Sequence, residues 1–286
     1  MISVLVTGSN GQLGKCLQDI SINTTGIKWI FKSSTELDIT NENSILDAFK
    51  NHKIDYLINC AAYTAVDRAE SEKEKAFLVN AEGVRLLATI CKDYSATLIH
   101  ISTDFVFDGK KHIPYLETDQ PNPINVYGTS KLKGEEYVQE ILERFFIIRT
   151  SWVYSRHGNN FVKTMLKLGK ERNEIKVVND QIGSPTNAND LAEFLIFILN
   201  SNEKENGIYH YSNEGNISWY DFAKEIFAIC ENDIKLIPIT SNQYPTPASR
   251  PKNSILSKDK IKVKYLKEVP HWRDSLKDIL KQTIDT

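Results

Sequence analysis

At 286 residues, with 41% apolar side chains, the chain is long enough to bury one large core and carry a smaller second lobe. A formal net charge of −2 supplies no basic field for nucleic acid or an anionic membrane surface. No apolar run approaches the ~18 residues that cross a bilayer. The chain opens with Val4-Leu5-Val6-Thr7, a buried strand, followed by Gly8-Ser9-Asn10-Gly11-Gln12-Leu13-Gly14 and a helix over Gln12–Ile20. Glycines at Gly8, Gly11 and Gly14 depart from strict Gly-x-Gly-x-x-Gly spacing but meet the same need. They permit a tight turn and let the backbone approach a pyrophosphate seated on the free N–H groups of the helix start. A short strand is expected over Lys28–Phe31, a helix capped within Thr40-Asn41-Glu42 and running through Phe49, and a compact strand at Tyr56–Asn59. Helical stretches follow at Glu70–Val79 and Ala81–Asp93, then a strand at Thr97–Ser102. A helix holding Tyr127 continues across Glu135–Glu143, and a strand follows at Phe145–Arg149. Strand and helix alternating in this way predict an α/β fold: a Rossmann-type doubly wound parallel sheet covered on both faces, with ligands beyond the carboxyl ends of its strands.

Past Ser151 the pattern loosens, with helices expected at Asn160–Glu171 and Asp190–Leu199 and a strand at Gly207–Tyr211. Tyr244-Pro245-Thr246-Pro247-Ala248-Ser249-Arg250-Pro251 is too rich in proline for a helix or a central strand. It reads as a rigid loop whose Arg250 could clamp a diphosphate. The expected organisation is a dinucleotide-binding domain over residues 1–150, to which later segments can return, and a mainly substrate-binding lobe over residues 151–286.

The segment Asn125-Val126-Tyr127-Gly128-Thr129-Ser130-Lys131 places a phenol and an ammonium four residues apart, on one helical face. A free phenol titrates near ~10, and a neighbouring positive charge brings it toward the working range of an acid–base catalyst. Further segments are Asn59-Cys60-Ala61-Ala62-Tyr63-Thr64-Ala65-Val66-Asp67 and Ile101-Ser102-Thr103-Asp104-Phe105-Val106-Phe107-Asp108-Gly109. Arg149-Thr150-Ser151-Trp152-Val153-Tyr154, Asn159-Asn160-Phe161 and Asn179-Asp180-Gln181 follow. In this order, and over essentially the whole chain, they resemble the extended short-chain dehydrogenase/reductase superfamily, and within it the reductases of nucleotide-linked keto-deoxy sugars.

That resemblance implies reduction of the C4 ketone of a dTDP-linked keto-deoxy sugar. Tyr127 would give the proton. Lys131 would lower the phenol pKa and bind the nicotinamide ribose, and Thr103 would hold the substrate oxygen. Ser102 and Thr103 both qualify at the strand end, with Thr103 favoured by the family pattern, Asp104 beside it for substrate hydroxyls, and Trp152 lining the pocket. Gly11, Gln12 and Leu13 would face the cofactor diphosphate, Asp38 and Ile39 the adenine, and Ala61, Ala62, Tyr63 and Thr64 the ribose and nicotinamide. The second strand ends Phe31-Lys32-Ser33-Ser34, with no carboxylate to hold a ribose 2′-hydroxyl, so NADPH is the expected donor with some use of NADH. Some relatives dimerise through a magnesium bound by acidic residues. Lys15 and Cys16 are poor ligands at the corresponding positions, so no metal is expected, and a monomer or metal-independent homodimer is. Asp190 and Glu193 read as acidic surface residues.

Epimerases and dehydratases of sugar nucleotides share the turn and the Tyr/Lys pair, but dehydratases typically add an acidic residue where Phe105 follows Asp104. A reductase of another keto-deoxy sugar is a closer alternative. A non-catalytic subunit would commonly have lost the tyrosine or the lysine. Four cysteines without Cys-x-x-Cys spacing, six dispersed histidines, and a start without a charged leader fit reduced thiols in the cytoplasm, with neither a zinc site nor a Ser-His-Asp triad.

Overall fold

A computed structural model of the chain describes residues 1–201 and 205–284. Its centre is a six-stranded, fully parallel sheet. The strands are β1 (Ile2–Thr7), β2 (Ile27–Lys32), β3 (Tyr56–Asn59), β4 (Thr97–Thr103), β5 (Phe145–Thr150) and a last strand at Gly207–His210. Across the sheet they run Gly207–His210, β5, β4, β3, β1, β2. From β1 the chain builds outward through β2, then returns to lay β3 on the other side of β1. This is the switch point where loops diverge and a ligand fits.

The inner strands are buried along nearly their whole length because both sheet faces are covered, whereas the edge strand β2 keeps Lys28 exposed. On one face Val4, Val6, Ile58 and Ile148 meet Leu17 of the helix Gln12–Ser21 and Leu191, Leu195 and Ile198 of the helix Ala188–Asn200. On the other, Leu5, Leu57, Leu98 and Ile147 meet Ile45, Leu87 and Val138. Burying one such side chain contributes about 1.5–3 kcal/mol, so the sheet core dominates the stability. A third cluster, with Tyr154, Phe222, Ile226, Trp272 and Leu276, fills a smaller C-terminal lobe. The lobe contains helices Phe161–Glu171, Trp219–Ile229 and Trp272–Ile284 and a parallel strand pair, Glu174–Val178 with Lys235–Ile239.

Most sequence-predicted elements fall within two residues of the observed ones; the helix holding Tyr127 ends at Ile141 and not Glu143. Asn41, and not Thr40, caps the second helix, its side chain accepting from Ser44 N, while the Thr40 hydroxyl turns to Asp38. The stretch expected as two plain helices is instead Val66–Ala69, Lys73–Phe77, a π turn at Leu78–Glu82 and a helix at Gly83–Asp93. Asp190 is half-buried and not a freely exposed surface residue: its carboxylate accepts from Asn213 Nδ2 and Ser275 Oγ, and desolvation raises its pKa. Glu193 is exposed. Among the described residues no helix is long and apolar enough to cross a membrane, and no group of three or more His, Cys, Asp or Glu could hold a metal ion.

Candidate active site

The helix Val126–Ile141 carries Tyr127 and Lys131, and its start is pinned from three sides. The Asn125 side chain accepts from Gly128 N at 2.7 Å, Asn125 Nδ2 donates to Ser249 O at 2.8 Å, and Glu70 accepts from Val126 N at 2.8 Å. Capping thus joins the proline-rich loop and the Val66–Ala69 region to this one helix end. Tyr127 is 9% exposed and stands edge-on to Phe105, with ring centroids 5.7 Å apart. Burial pushes its phenol up to about 12, the Thr103 hydroxyl pulling it down and Asp104 raising it further. Tyr127 is therefore a proton-holding acid across the neutral range.

Lys131 is 2% exposed, and its ammonium does not turn toward the phenol as the spacing suggested. Nζ donates to Ile101 O at 2.6 Å and lies 3.4 Å from His100 Nε2. A buried ammonium takes the nearest carbonyl, and the flexible stem of lysine allows it. Burial lowers its pKa to about 8 against the pull of Glu135 and Cys60. Behind it, His100 Nδ1 lies 3.1 Å from Asn59 Nδ2, and Asn59 Oδ1 accepts from Thr7 Oγ1 at 2.7 Å and Ala61 N at 3.2 Å.

At the end of β4, successive residues point to opposite faces of the sheet, and this decides between the two hydroxyls. Ser102 donates its proton to Glu135, which is held by Arg149 in a fully buried ion pair at 2.6 Å. Ser102 is therefore committed to the core, which corrects the expectation that it binds substrate. Thr103 lies beside Tyr127, donates to Asp104 Oδ1 at 3.1 Å and accepts from Phe105 N at 3.1 Å. Asp104 is buried, no group meets its Oδ2 with hydrogen-bond geometry, and desolvation raises its pKa to about 6 against the pull of the nearby Ser254 and Thr103 hydroxyls. A buried carboxylate oxygen of this kind is set for a donor from outside the protein.

The cofactor residues gather at the switch point. Gly8 has φ +65°, and a Cβ there would lie 2.6 Å from Ala61 N; at Gly14 it would lie 2.6 Å from Ser9 Cα. Only glycine allows the β1 and β3 loops to abut in this way. Gly11 precedes the ten-residue helix Gln12–Ser21 without a side-chain cap, so its first N–H groups remain for an anion. A cavity of about 340 Å³ beside this turn is lined by Gly8, Gly11, Asp38, Ile39, Ala61 and Tyr63, among others. Ala62 lines it too, whereas Thr64 is exposed outside it. Glycine cradle, open helix start and adjoining cavity fit a dinucleotide. Leu13 and Gly14 are buried, and the Gln12 side chain turns away to accept from Ser155 Oγ and Asn160 Nδ2. At the end of β2, Glu36 folds back to accept from Ser33 N and Oγ.

A larger cavity of about 650 Å³ lies in the C-terminal lobe, lined in part by Phe161, Gln181, Trp219, Tyr244, Thr246 and Arg250. Arg250 is not a free cation. Its guanidinium grips Asp67 through two bonds of 2.8 and 3.1 Å, and both side chains keep some solvent access. Trp152 adopts φ +49°, a costly conformation for a bulky residue, and stacks on Trp219 at 3.5 Å with 9° between the rings.

Two contributors escaped the sequence reading. Trp219 is one, its signal being an aromatic residue just after the helix cap Ser218. Asn80 is the other: within the π turn it accepts from Tyr63 N at 2.9 Å and donates to Tyr63 O and Ser130 Oγ, both at 3.0 Å. Ser130 in turn donates to Tyr127 O at 2.8 Å, so one buried amide ties the Tyr63 loop to the helix carrying Tyr127 and Lys131. Its signal was a polar residue set into the apolar run Ala76-Phe77-Leu78-Val79-Asn80-Ala81.

Comparison with known proteins adds an independent finding. The family model described as the RmlD substrate binding domain matches residues 2–284. The dTDP-4-dehydrorhamnose reductase of Aggregatibacter actinomycetemcomitans is 40% identical, over 98% of each chain. The crystal structure of a dTDP-4-dehydrorhamnose reductase from Clostridium acetobutylicum superposes with TM-score 0.95 at 39% identity, covering 100% of both chains. That of the Bacillus anthracis dTDP-4-dehydrorhamnose reductase, solved in complex with NADP, gives TM-score 0.94 at 40% identity over 99% of this chain and 100% of that one.

Proposed function

We infer the reaction from one premise: the chain belongs to the RmlD substrate-binding-domain family, that of the dTDP-4-dehydrorhamnose reductases. It is an oxidoreductase that reduces the C4 keto group of dTDP-4-dehydro-L-rhamnose with NADPH, giving dTDP-L-rhamnose. The observation that carries this is Tyr127, held as a buried phenol beside Thr103 and Asp104, in a chain that matches these reductases from end to end.

NADPH, when bound, supplies the hydride to C4. Tyr127 gives its proton to the oxygen as alkoxide character develops, so the ketone gains one hydride and one proton. The Thr103 hydroxyl orients that oxygen, and the open Asp104 Oδ2 accepts from a sugar hydroxyl. Lys131 binds the nicotinamide ribose and stabilises the phenolate left on Tyr127. Gly8, Gly11, Gln12, Leu13 and Gly14 receive the cofactor diphosphate through the turn and helix start, Asp38 and Ile39 the adenine, and Ala61, Ala62, Tyr63 and Thr64 the ribose and nicotinamide side. Trp152 and Arg250 belong to the substrate. Arg250 exchanges Asp67 for the nucleotide diphosphate, a change made inexpensive by the partial exposure of the pair.

Residues 1–150 carry cofactor and chemistry in this proposal and residues 151–286 mainly the substrate. The third hydrophobic cluster, separate from the two that cover the sheet, supports that division. The protein works in the cytoplasm without nucleic acid or membrane, as a monomer or metal-independent homodimer. Four free cysteines support a reducing compartment. The test is NADPH oxidation with dTDP-4-dehydro-L-rhamnose and its UDP-linked counterpart in parallel. Rapid turnover of the dTDP compound to dTDP-L-rhamnose is expected. Turnover of neither, with NADPH bound, would move the activity to another keto-sugar.

A further inference from the structure

The chain of buried polar groups behind Lys131 fixes more than its position. Asn59 Oδ1 faces the Ala61 N–H at 3.2 Å, a group that can only donate, so the orientation of the amide is determined. Its Nδ2, also only a donor, then faces His100 Nδ1 at 3.1 Å. Nδ1 must therefore carry the lone pair, and in a neutral imidazole the proton sits on Nε2. Nε2 lies 3.4 Å from Lys131 Nζ. An N–H directed at an amine finds an acceptor, whereas directed at an ammonium it meets a like-signed edge.

We propose that His100 is a positioning residue for the reaction: Asn59 locks it as the Nε2–H tautomer, and its N–H faces Lys131 Nζ and sets the balance between the amine and ammonium forms of that lysine. Thr7 and Ala61 hold Asn59, so the ends of β1, β3 and β4 act together on one side chain. Burial keeps the His100 imidazole neutral, with the Lys131 charge adding to the effect. The other groups acting on Lys131 are Glu135 on its own helix, already paired with Arg149 of β5, and Cys60 after β3. Both favour the ammonium; His100 and desolvation oppose it. The position of His100 thus sets where the alkaline limb of activity falls.

The catalytic consequence rests on the reductase function proposed above, but the tautomer does not, and the two are read separately. In protein labelled with ¹⁵N-histidine, the ring of His100, assigned against His100→Gln, should show Nε2 protonated and Nδ1 bare, with the Nε2 signal moving as Lys131 titrates. An Nδ1–H tautomer or an imidazolium overturns the proposal whether or not any substrate turns over. In the second measurement, His100→Phe keeps the site apolar and removes the N–H, so the ammonium is favoured. The alkaline limb of kcat/KM should then move upward, the variant keeping roughly threefold more of its plateau value than the wild type at about pH 9. A folded variant with an unmoved limb overturns the role. If it fails to fold, the tautomer measurement on the wild type decides.

Discussion

Tyr127 must keep its proton until negative charge develops on the substrate oxygen, and burial provides for this. Its phenol is pushed up to about 12, so it stays protonated through the range in which the protein would work. Lys131 does not depress it in this arrangement, because its ammonium serves Ile101 O. Residue type and spacing were legible in Asn125–Lys131, because a helix turn places positions four apart on one face. The aim of the lysine was not, since a four-carbon stem reaches several acceptors and the sequence does not rank them. Thr103 over Ser102 was likewise a matter of strand register, decided by Glu135 and Arg149. Replacing Tyr127 by Phe should leave NADPH and substrate binding intact while kcat falls by about 10²-fold or more. Single-turnover kinetics would check it. A variant that keeps most of its kcat would mean that the proton comes by another route.

The helix Val126–Ile141 lies so close to the π turn that a Cβ on Gly134 would stand 2.2 Å from Asn80 O. Gly134→Ala must therefore separate the two elements. An overpacked contact of this kind costs about 1–3 kcal/mol, lowering Tm by several degrees, and it displaces the Asn80 amide from Tyr63 and Ser130. Thermal unfolding with kcat measured in parallel tests this, and an unchanged Tm would show that the contact gives freely. The flanking segments were legible as helix from their 3.6-residue period. The π turn was not, because its extra residue serves a tertiary demand, the bonds from Asn80 to Tyr63, and leaves no mark in composition. The strands Glu174–Val178 and Lys235–Ile239 were missed for a different reason. Each is only five residues long: Glu174–Val178 alternates over too short a run to stand out from a loop, and Lys235–Ile239 is broken by Pro238.

Across the whole molecule, the alternation of apolar strands and helices was enough for the doubly wound sheet, because parallel strands buried on both faces have few other readings. Which strands neighbour each other, and what Arg250 touches, depend on contacts distant in sequence. Asp67 and Arg250 lie 183 residues apart and join the proline-rich loop to the segment after β3. Arg250→Ala should raise KM for the dTDP-sugar by about tenfold or more while kcat and Tm change little, since a partly exposed pair adds little stability. Steady-state kinetics on that substrate would test it, and an unchanged KM would remove the clamp. The strand Gly207–His210 pairs with β5 at the edge of the sheet, although the chain builds part of the lobe before returning to it. On the ribosome this means that β5 emerges with its outer backbone groups open and waits several seconds, at about 5–20 residues per second, for its partner. During that interval the nascent chain presents an apolar strand edge to its neighbours. Slowed translation between residues 150 and 207 should therefore cost soluble yield without altering the stability of the finished protein.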